Sequence, residues 1–110
     1  MRLSSRSAIG AALIAALAAP ASAQDARSGA AKAKACHACH GIDGISTLPD
    51  APHLAGQPAI YLERALRAYR SGERRHEVMN VAAKPLTDGE IRDLVAHYAA
   101  MLIEVKPAPR

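Results

Sequence analysis

The chain has 110 residues, of which 50% are hydrophobic, yet it contains no Trp, no Phe and only three Tyr. Alanine accounts for 26 of the hydrophobic residues and adds little buried surface to a core. A chain of this length holds one small domain, which excludes a multidomain enzyme, and the apolar fraction excludes a disordered chain. The formal net charge is +4, from 14 Lys and Arg against 10 Asp and Glu.

Residues 1–23 have the pattern of a secretory signal peptide. Two arginines form a positive n-region, and residues 8–19 are uncharged and rich in Ala, Leu and Ile. This run is shorter than the roughly 20 apolar residues that a membrane span needs. Small residues then surround a signal-peptidase site, so we expect cleavage after Ala23 and export to the periplasm. The mature domain would be residues 24–110, without a membrane span.

Removal of this segment changes the charge argument. Two of the 14 basic residues lie within it, so 12 remain against 10 acidic residues and the formal charge falls to +2. A charge that small gives little attraction for nucleic acid or an anionic membrane. No aromatic residues are interleaved with a basic stripe, so a base-stacking surface is absent as well. We therefore expect no nucleic-acid partner.

The first part of the mature chain predicts two helices joined by a long loop. Ala and Lys dominate residues 25–35, which favours a short helix. Gly and Pro punctuate residues 41–58, which predicts a loop. Pro58 opens the next helix, which runs to about Tyr69 with apolar residues at helical spacing. Gly72 then provides its end.

The second part predicts a loop and a terminal helix. Residues 73–84 are mostly polar and are interpreted as a loop. Thr87 and Glu90 form a capping box at the start of the last helix. Its apolar residues recur at helical spacing: Ile91, Leu94, Val95, Tyr98, Met101 and Leu102. The prediction is a small all-α domain with long loops.

The predicted core is thin for a stable domain. Beyond Ala, residues 24–110 provide 18 Ile, Leu, Val and Met side chains and three Tyr. Domains this small often need disulfides, a metal or another buried group. Two Cys cannot build a disulfide framework, so a large prosthetic group would supply the missing core.

Cys36, Cys39 and His40 form a C-x-x-C-H motif. Two thiols at this spacing can bond both vinyl groups of one haem, and the adjacent imidazole can reach the iron. A thioredoxin-type redox pair would need a βαβ context, and a zinc site would need an unusual, distant fourth ligand. A disulfide here would close a small, strained loop. Export and the thin core favour covalent haem.

Four stretches in order resemble the class I c-type cytochromes, nearest the bacterial cytochrome c4- and c5-like electron carriers. They are C-H-A-C-H-G at 36–41, P-H-L-A-G-Q at 52–57, Y-L at 61–62 and M-N-V-A-A-K-P-L-T-D-G-E-I at 79–91. One haem motif is present, so the tandem dihaem arrangement of cytochrome c4 does not apply within this chain. The resemblance implies an all-α class I cytochrome c fold around one covalently bound haem, with the first and last helices crossing.

The resemblance also implies the iron ligands. His40 would be the proximal ligand, and Met79 would be the distal one. A thioether suits this position because it is a soft ligand that favours Fe(II) and raises the potential. By resemblance, the Pro52 carbonyl accepts the other ring N–H of His40, and Leu54 packs against the proximal haem face.

Other residues compete with Met79 for the distal position. Met101 lies on the apolar stripe of the last helix, where core packing explains it. Three histidines could form a bis-His site, although each has an ordinary explanation in a loop or on the surface: His53, His76 and His97. We place Met79 first and His76 second.

Further residues have both a structural and a functional interpretation. Gly41 and Gly56 are interpreted as places where the backbone approaches the ring closely. Tyr61 and Tyr69 either fill the core, which we prefer, or donate to a haem propionate. Five arginines form one basic flank, a solvated helix face or else a docking patch for an acidic redox partner: Arg64, Arg67, Arg70, Arg74 and Arg75.

The expected function is single-electron transfer between respiratory-chain partners in the periplasm, without enzymatic activity. Two alternatives stay open. The chain could be a haem subunit dedicated to one dehydrogenase or oxidase, or a ligand-binding or sensory haem domain with an open distal site.

Overall fold

The structure is a computed structural model that describes residues 25–110, so the predicted signal segment, residues 1–23, lies outside the described residues. The described part contains five helices and no strand, which confirms the all-α prediction. They are α1 Ala26–Ala33, α2 His37–His40, α3 Ala59–Ser71, α4 Glu77–Ala83 and α5 Asp88–Ala99. None of the helices within this range is long and apolar enough to span a membrane.

Helices α1 and α5 cross in close contact, as the resemblance implies. The crossing depends on Gly29, which is buried at the contact. A Cβ at this position would lie 2.8 Å from the Cβ of His97 and closer still to the Asp93 carbonyl oxygen. The role of Gly29 was not predicted, and its one signal in the sequence is a glycine inside an otherwise Ala-rich helix.

The core lies where α1, α3 and α5 meet. Helix α3 packs against both α5 and α4. Six buried side chains form this core cluster: Ala33, Leu62, Ile91, Leu94, Val95 and Tyr98. The cluster is small, in agreement with the thin core that the composition predicts.

The ends of α3 and α5 show which local signals are reliable. Gly72 ends α3 in the left-handed conformation with φ of 84°, as predicted. The capping box of Thr87 and Glu90 is present, with N···O distances of 2.9 and 3.1 Å. Both signals act through neighbouring residues, so the sequence is sufficient to identify them.

The far end of α5 was predicted wrongly. The helix ends at Ala99, so Met101 and Leu102 lie beyond it, and Leu102 is 99% exposed. The Tyr98 carbonyl accepts the N–H of Gly56 at 2.9 Å, a bond from the 41–58 loop. This carbonyl is the one that would otherwise accept the N–H of Leu102 in a longer helix.

The loop predicted over residues 73–84 is also wrong, because Glu77–Ala83 is helical. The helix begins at His76, whose Nδ1 accepts the N–H groups of Val78 and Met79 at 3.3 Å each. The Asn80 side chain in turn accepts the N–H of His76 at 2.7 Å. Histidine is not among the preferred N-cap residues, so the sequence carried no capping signal here.

Candidate functional site

A cavity of about 350 Å³ lies between α2, α3, α4 and α5. Its walls are mainly apolar, and they include the half-buried Leu54, which also packs against the core. The four side chains expected to bind the haem or its iron all line this one space: Cys36, Cys39, His40 and Met79. The cavity therefore joins the motif near the N-terminus to a helix about 40 residues later.

The two cysteines are half-buried free thiols at the one-turn helix α2. The helical turn is closed by the His40 N–H, which donates to the Cys36 carbonyl at 3.0 Å. Residues three apart share a face of a helix, so this turn presents both thiols to the cavity. Burial raises the pKa of the Cys36 thiol.

His40 is 6% exposed, and its Nδ1 lies 2.9 Å from the carbonyl oxygen of Pro52. A carbonyl can only accept, so Nδ1 carries the proton and Nε2 keeps its lone pair. This hydrogen bond holds the ring in the tautomer that a metal ligand needs.

Ser46 supports this region and was missed by the sequence analysis. Its buried hydroxyl donates to the carbonyl of Cys39 at 2.8 Å, and its N–H donates to Nδ1 of His53 at 2.8 Å. Ser46 thus ties the 41–58 loop to the end of α2. A lone Ser in a loop gives no signal for such a role.

The residues that compete with Met79 lie elsewhere. Among Met79, Met101 and the histidines His53, His76 and His97, only Met79 lines the cavity. The Nδ1 atoms of His53 and His76 accept backbone N–H groups. His97 packs beside Gly29, and burial lowers its pKa.

Two glycines singled out in the sequence allow turns of the chain. Gly41 and Gly56 both have positive φ, 82° and 69°, and a Cβ on Gly41 would meet the carbonyl oxygen of Ile45. The close approach of the backbone to the ring at these glycines stays a prediction.

The motif's other interpretations find no support in the described part of the chain. Residues 25–110 contain no strand that would place the cysteines in a βαβ unit. Within the same range, no group of three His, Cys, Asp or Glu side chains could hold a metal ion.

Three of the five arginines have identified surroundings. Arg67 and Arg70 both donate to Asp88 at the start of α5, at 2.8 and 2.6 Å, and so join α3 to α5. Arg74 lines the cavity together with Tyr61 and Tyr69. Tyr61 is half-exposed, so the expectation that it fills the core is wrong.

Comparison with known proteins identifies the family. The sequence profile of the family described as cytochrome c matches residues 26–99, which is most of the chain. The chain belongs to the cytochrome c family. Its cofactor is therefore haem c with its iron, held covalently. The donor set fits this group, because two thiols and an oriented imidazole face an apolar cavity whose polar side chains include Tyr61 and Arg74.

Similar proteins extend the comparison. A cytochrome c-554(548) from Halomonas halodenitrificans is 42% identical over 55 residues, which are 47% of this chain and 66% of that protein. The reduced recombinant cytochrome c4 from Pseudomonas stutzeri has a TM-score of 0.68 and 34% identity, over 73% of this chain and 47% of that one. Cytochrome c4 from Acidithiobacillus ferrooxidans has a TM-score of 0.65 and 30% identity, over 69% and 49%.

The chain thus spans about half the length of these two solved structures. The likeness confirms the class I cytochrome c fold predicted from the resemblance.

Proposed function

We propose that this protein is a single-electron carrier whose haem is attached through Cys36 and Cys39 and whose iron is bound by His40 and Met79. The observation that carries the proposal is that all four side chains line one mainly apolar cavity. When bound, the haem supplies a one-electron couple between Fe(III) and Fe(II).

The proximal side is organised before any electron moves. The Pro52 carbonyl fixes the imidazole of His40 at 2.9 Å, which leaves Nε2 free to bind iron and increases the basicity of the ring. Because His40 is buried, this geometry is held by the surrounding chain and needs no rearrangement when the charge of the site changes.

The distal side depends on α4. The His76 imidazole and the Asn80 amide hold the first turn of α4, and Met79 lies in that turn. Its thioether is a soft ligand that favours Fe(II) and raises the reduction potential. If His40 and Met79 both bind the iron, they would leave no position on it for a substrate or for oxygen. We therefore propose a carrier and not an enzyme.

The cavity is closed by apolar walls on most sides and open at one edge, where electrons would enter and leave. Apolar side chains keep water away from most of the site, whereas Tyr61 and Val78 are about half-exposed and mark an open edge. We propose that redox protein partners dock at this edge. We also propose that the protein works in the periplasm after removal of residues 1–23.

The distal ligand is tested by comparing Met79→Ala with Met101→Ala. Both changes remove a thioether, but only Met79 lines the cavity. In the purified wild type we expect a weak red band from Met–Fe(III), and a spectrum of the reduced protein that CO leaves unchanged. Met79→Ala loses the band and binds CO, whereas Met101→Ala keeps the wild-type behaviour.

Rapid CO binding by the reduced wild type would contradict the carrier and support a ligand-binding or sensory haem domain. The mass of the exported protein reports cleavage after Ala23 and the number of covalent haems in one measurement. A mass that includes residues 1–23, or lacks one haem, would contradict that part of the proposal.

A further inference from the structure

The hydroxyl of Tyr98 is a buried polar group without a partner. Tyr98 is 3% exposed, and within residues 25–110 its hydroxyl oxygen makes no hydrogen bond. The other buried side-chain atom of this kind in the described range is Nε2 of His97, and of the two residues only Tyr98 lines the cavity. A buried hydroxyl that donates to nothing destabilises a fold, and buried Tyr hydroxyls usually have an acceptor. We therefore expect the acceptor to come with what the cavity binds.

The Cys36 thiol is the polar group beside this hydroxyl. Cys36 packs against the buried cluster that contains Tyr98, and both residues line the cavity. Burial is the main cause that raises the pKa of Tyr98, and the neighbouring Cys36 raises it further. The Tyr98 hydroxyl in turn opposes the rise that burial causes in the pKa of Cys36. The two groups are thus close enough to influence each other.

The surrounding chain fixes the position of the hydroxyl. The backbone carbonyl of Tyr98 accepts the N–H of Gly56 at 2.9 Å. The Tyr98 ring meets the His97 ring edge-on, with ring centroids 4.9 Å apart. The hydroxyl oxygen lies on the axis about which the ring turns, so a ring flip does not move it. The hydroxyl can therefore redirect its proton, but it cannot reach solvent.

Thioether formation changes what the Cys36 sulfur can do. The thiol adds across a vinyl double bond, so that the sulfur bonds to one carbon and the S–H proton goes to the other. A thiol is both a weak donor and a weak acceptor, whereas a thioether sulfur can only accept. The bonded sulfur of Cys36 would thus complement the free O–H of Tyr98.

We propose that the Tyr98 hydroxyl donates a hydrogen bond to the thioether sulfur that joins Cys36 to the haem. This inference rests on the proposed function, in which Cys36 holds the haem. Tyr98 is then a positioning residue, because it acts on the linkage through the sulfur. Cys36 packs against the buried cluster and Cys39 is not part of that contact, so the hydrogen bond distinguishes the two thioethers.

The test measures the unfolding equilibrium constant of Tyr98→Phe holoprotein by denaturant titration. The change keeps the ring and removes only the hydroxyl. A hydroxyl that donates to the sulfur contributes a net hydrogen bond, so we expect the unfolding constant to rise about threefold. A hydroxyl without an acceptor would instead destabilise the wild type, and its removal would lower the constant. An unchanged or lower constant would overturn the inference.

Two single-cysteine holoproteins provide matched backgrounds, because each keeps one thioether. In Cys39→Ala, where Cys36 still holds the haem, Tyr98→Phe should again raise the unfolding constant about threefold. In Cys36→Ala the proposed acceptor is gone, so Tyr98→Phe should not raise it. The difference between the backgrounds is the coupling of a double-mutant cycle. Equal effects in both would assign the hydroxyl to another acceptor, such as a buried water, and overturn the inference.

A measurement on the wild type keeps the inference testable if the single-cysteine variants mature poorly. In the reduced holoprotein, the hydroxyl proton of Tyr98 should exchange slowly with water and show a nuclear Overhauser contact to the β-protons of Cys36. Tyr61 is 49% exposed and serves as the reference for fast exchange. A Tyr98 hydroxyl proton that exchanges as fast as that of Tyr61 would contradict the proposed hydrogen bond.

These results are separate from the test of the proposed function. CO binding by the reduced wild type, or a mass without a covalent haem, contradicts the carrier. A wild type that carries one haem and ignores CO, together with a Tyr98→Phe variant that is no less stable, leaves the carrier intact and removes only the role of Tyr98.

Discussion

The two sides of the domain are completed in different ways. Where α1 crosses α5, helix packs directly on helix, and Ala33 and Ile91 are fully buried. At the α4 wall of the cavity, Val78 is 51% exposed. The helix crossing is packed by the side chains of the chain itself. The α4 wall borders a mainly apolar cavity, so we expect its stability to depend on the haem.

This difference explains how a sequence with so few large apolar side chains folds. A core without Trp or Phe is enough for the crossing, where small residues allow close approach. It is not enough for the cavity, whose apolar walls need a large planar occupant. Four predictions follow from the comparison, from the largest expected effect to the smallest.

The double variant Cys36→Ser with Cys39→Ser should be largely unfolded, because it cannot retain the haem covalently. Without its occupant, the mainly apolar cavity of about 350 Å³ exposes its walls to water. The whole stability of a small domain is only about 5–15 kcal/mol, so this loss is large. Circular dichroism should show most of the helical signal lost, with the matured wild type as reference. A cooperative thermal transition in the variant would show that the chain completes both sides by itself.

Side-chain truncation should cost more stability in the buried cluster than on α4. Ile91 is 0% exposed, belongs to the buried cluster and does not line the cavity, so Ile91→Ala should cost about 3 kcal/mol in the free energy of unfolding. Val81→Ala, on the exposed surface of α4, should change it by less than about 0.5 kcal/mol. Denaturant unfolding of the two holoproteins gives both values. Similar costs for the two variants would contradict the comparison.

Gly29→Ala tests the closeness of the helix crossing. The new Cβ would collide with the backbone of Asp93, so α1 and α5 must move apart, at a cost of about 2 kcal/mol. The matched control is Gly89→Ala within α5, where the nearest non-adjacent atom is 3.8 Å from an added Cβ. Since Ala favours helix over Gly, the control should be neutral or slightly stabilising. If thermal melts show that both variants are destabilised equally, the helix crossing is not tightly packed.

The smallest effect concerns the link between α3 and α5. The hydrogen bonds from Arg70 and Arg67 lower the pKa of Asp88 below its ordinary value of 3.8. The ionised carboxylate therefore stabilises the fold above that value, and the contribution is lost as the pH falls through the lower folded pKa. Asp88→Asn should melt slightly below the wild type at neutral pH.

The difference between Asp88→Asn and the wild type should shrink below pH 3.8 and disappear once Asp88 is protonated in the folded protein. Asp50→Asn, in the exposed loop, serves as the control for the loss of one carboxylate. If the difference in melting temperature between Asp88→Asn and the wild type stays constant down to the lowest pH, Asp88 acts through packing and not through its charge.

Much of the fold was predictable because its signals are local. The capping box of Thr87 and Glu90 and the left-handed Gly72 are interactions between residues close in sequence. The C-x-x-C-H motif is of the same kind, since one helical turn brings both thiols together. The absence of Trp and Phe, read as a missing core, agrees with the cavity found between the helices.

Other features depend on residues that meet only after folding. Gly29 is required at the helix crossing because Asp93 and His97 of α5 lie against it. The position of Arg74 depends on its hydrogen bond to Tyr61 at the cavity. Helix α4 starts at a histidine cap that no propensity favours, and α5 stops where a bond from Gly56 takes its carbonyl. The sequence by itself determined α1, α3, most of α5, the haem motif and the need for a buried group. The tertiary structure decided that α4 forms and which arginine faces the cavity, because both depend on contacts across the fold that no local pattern encodes.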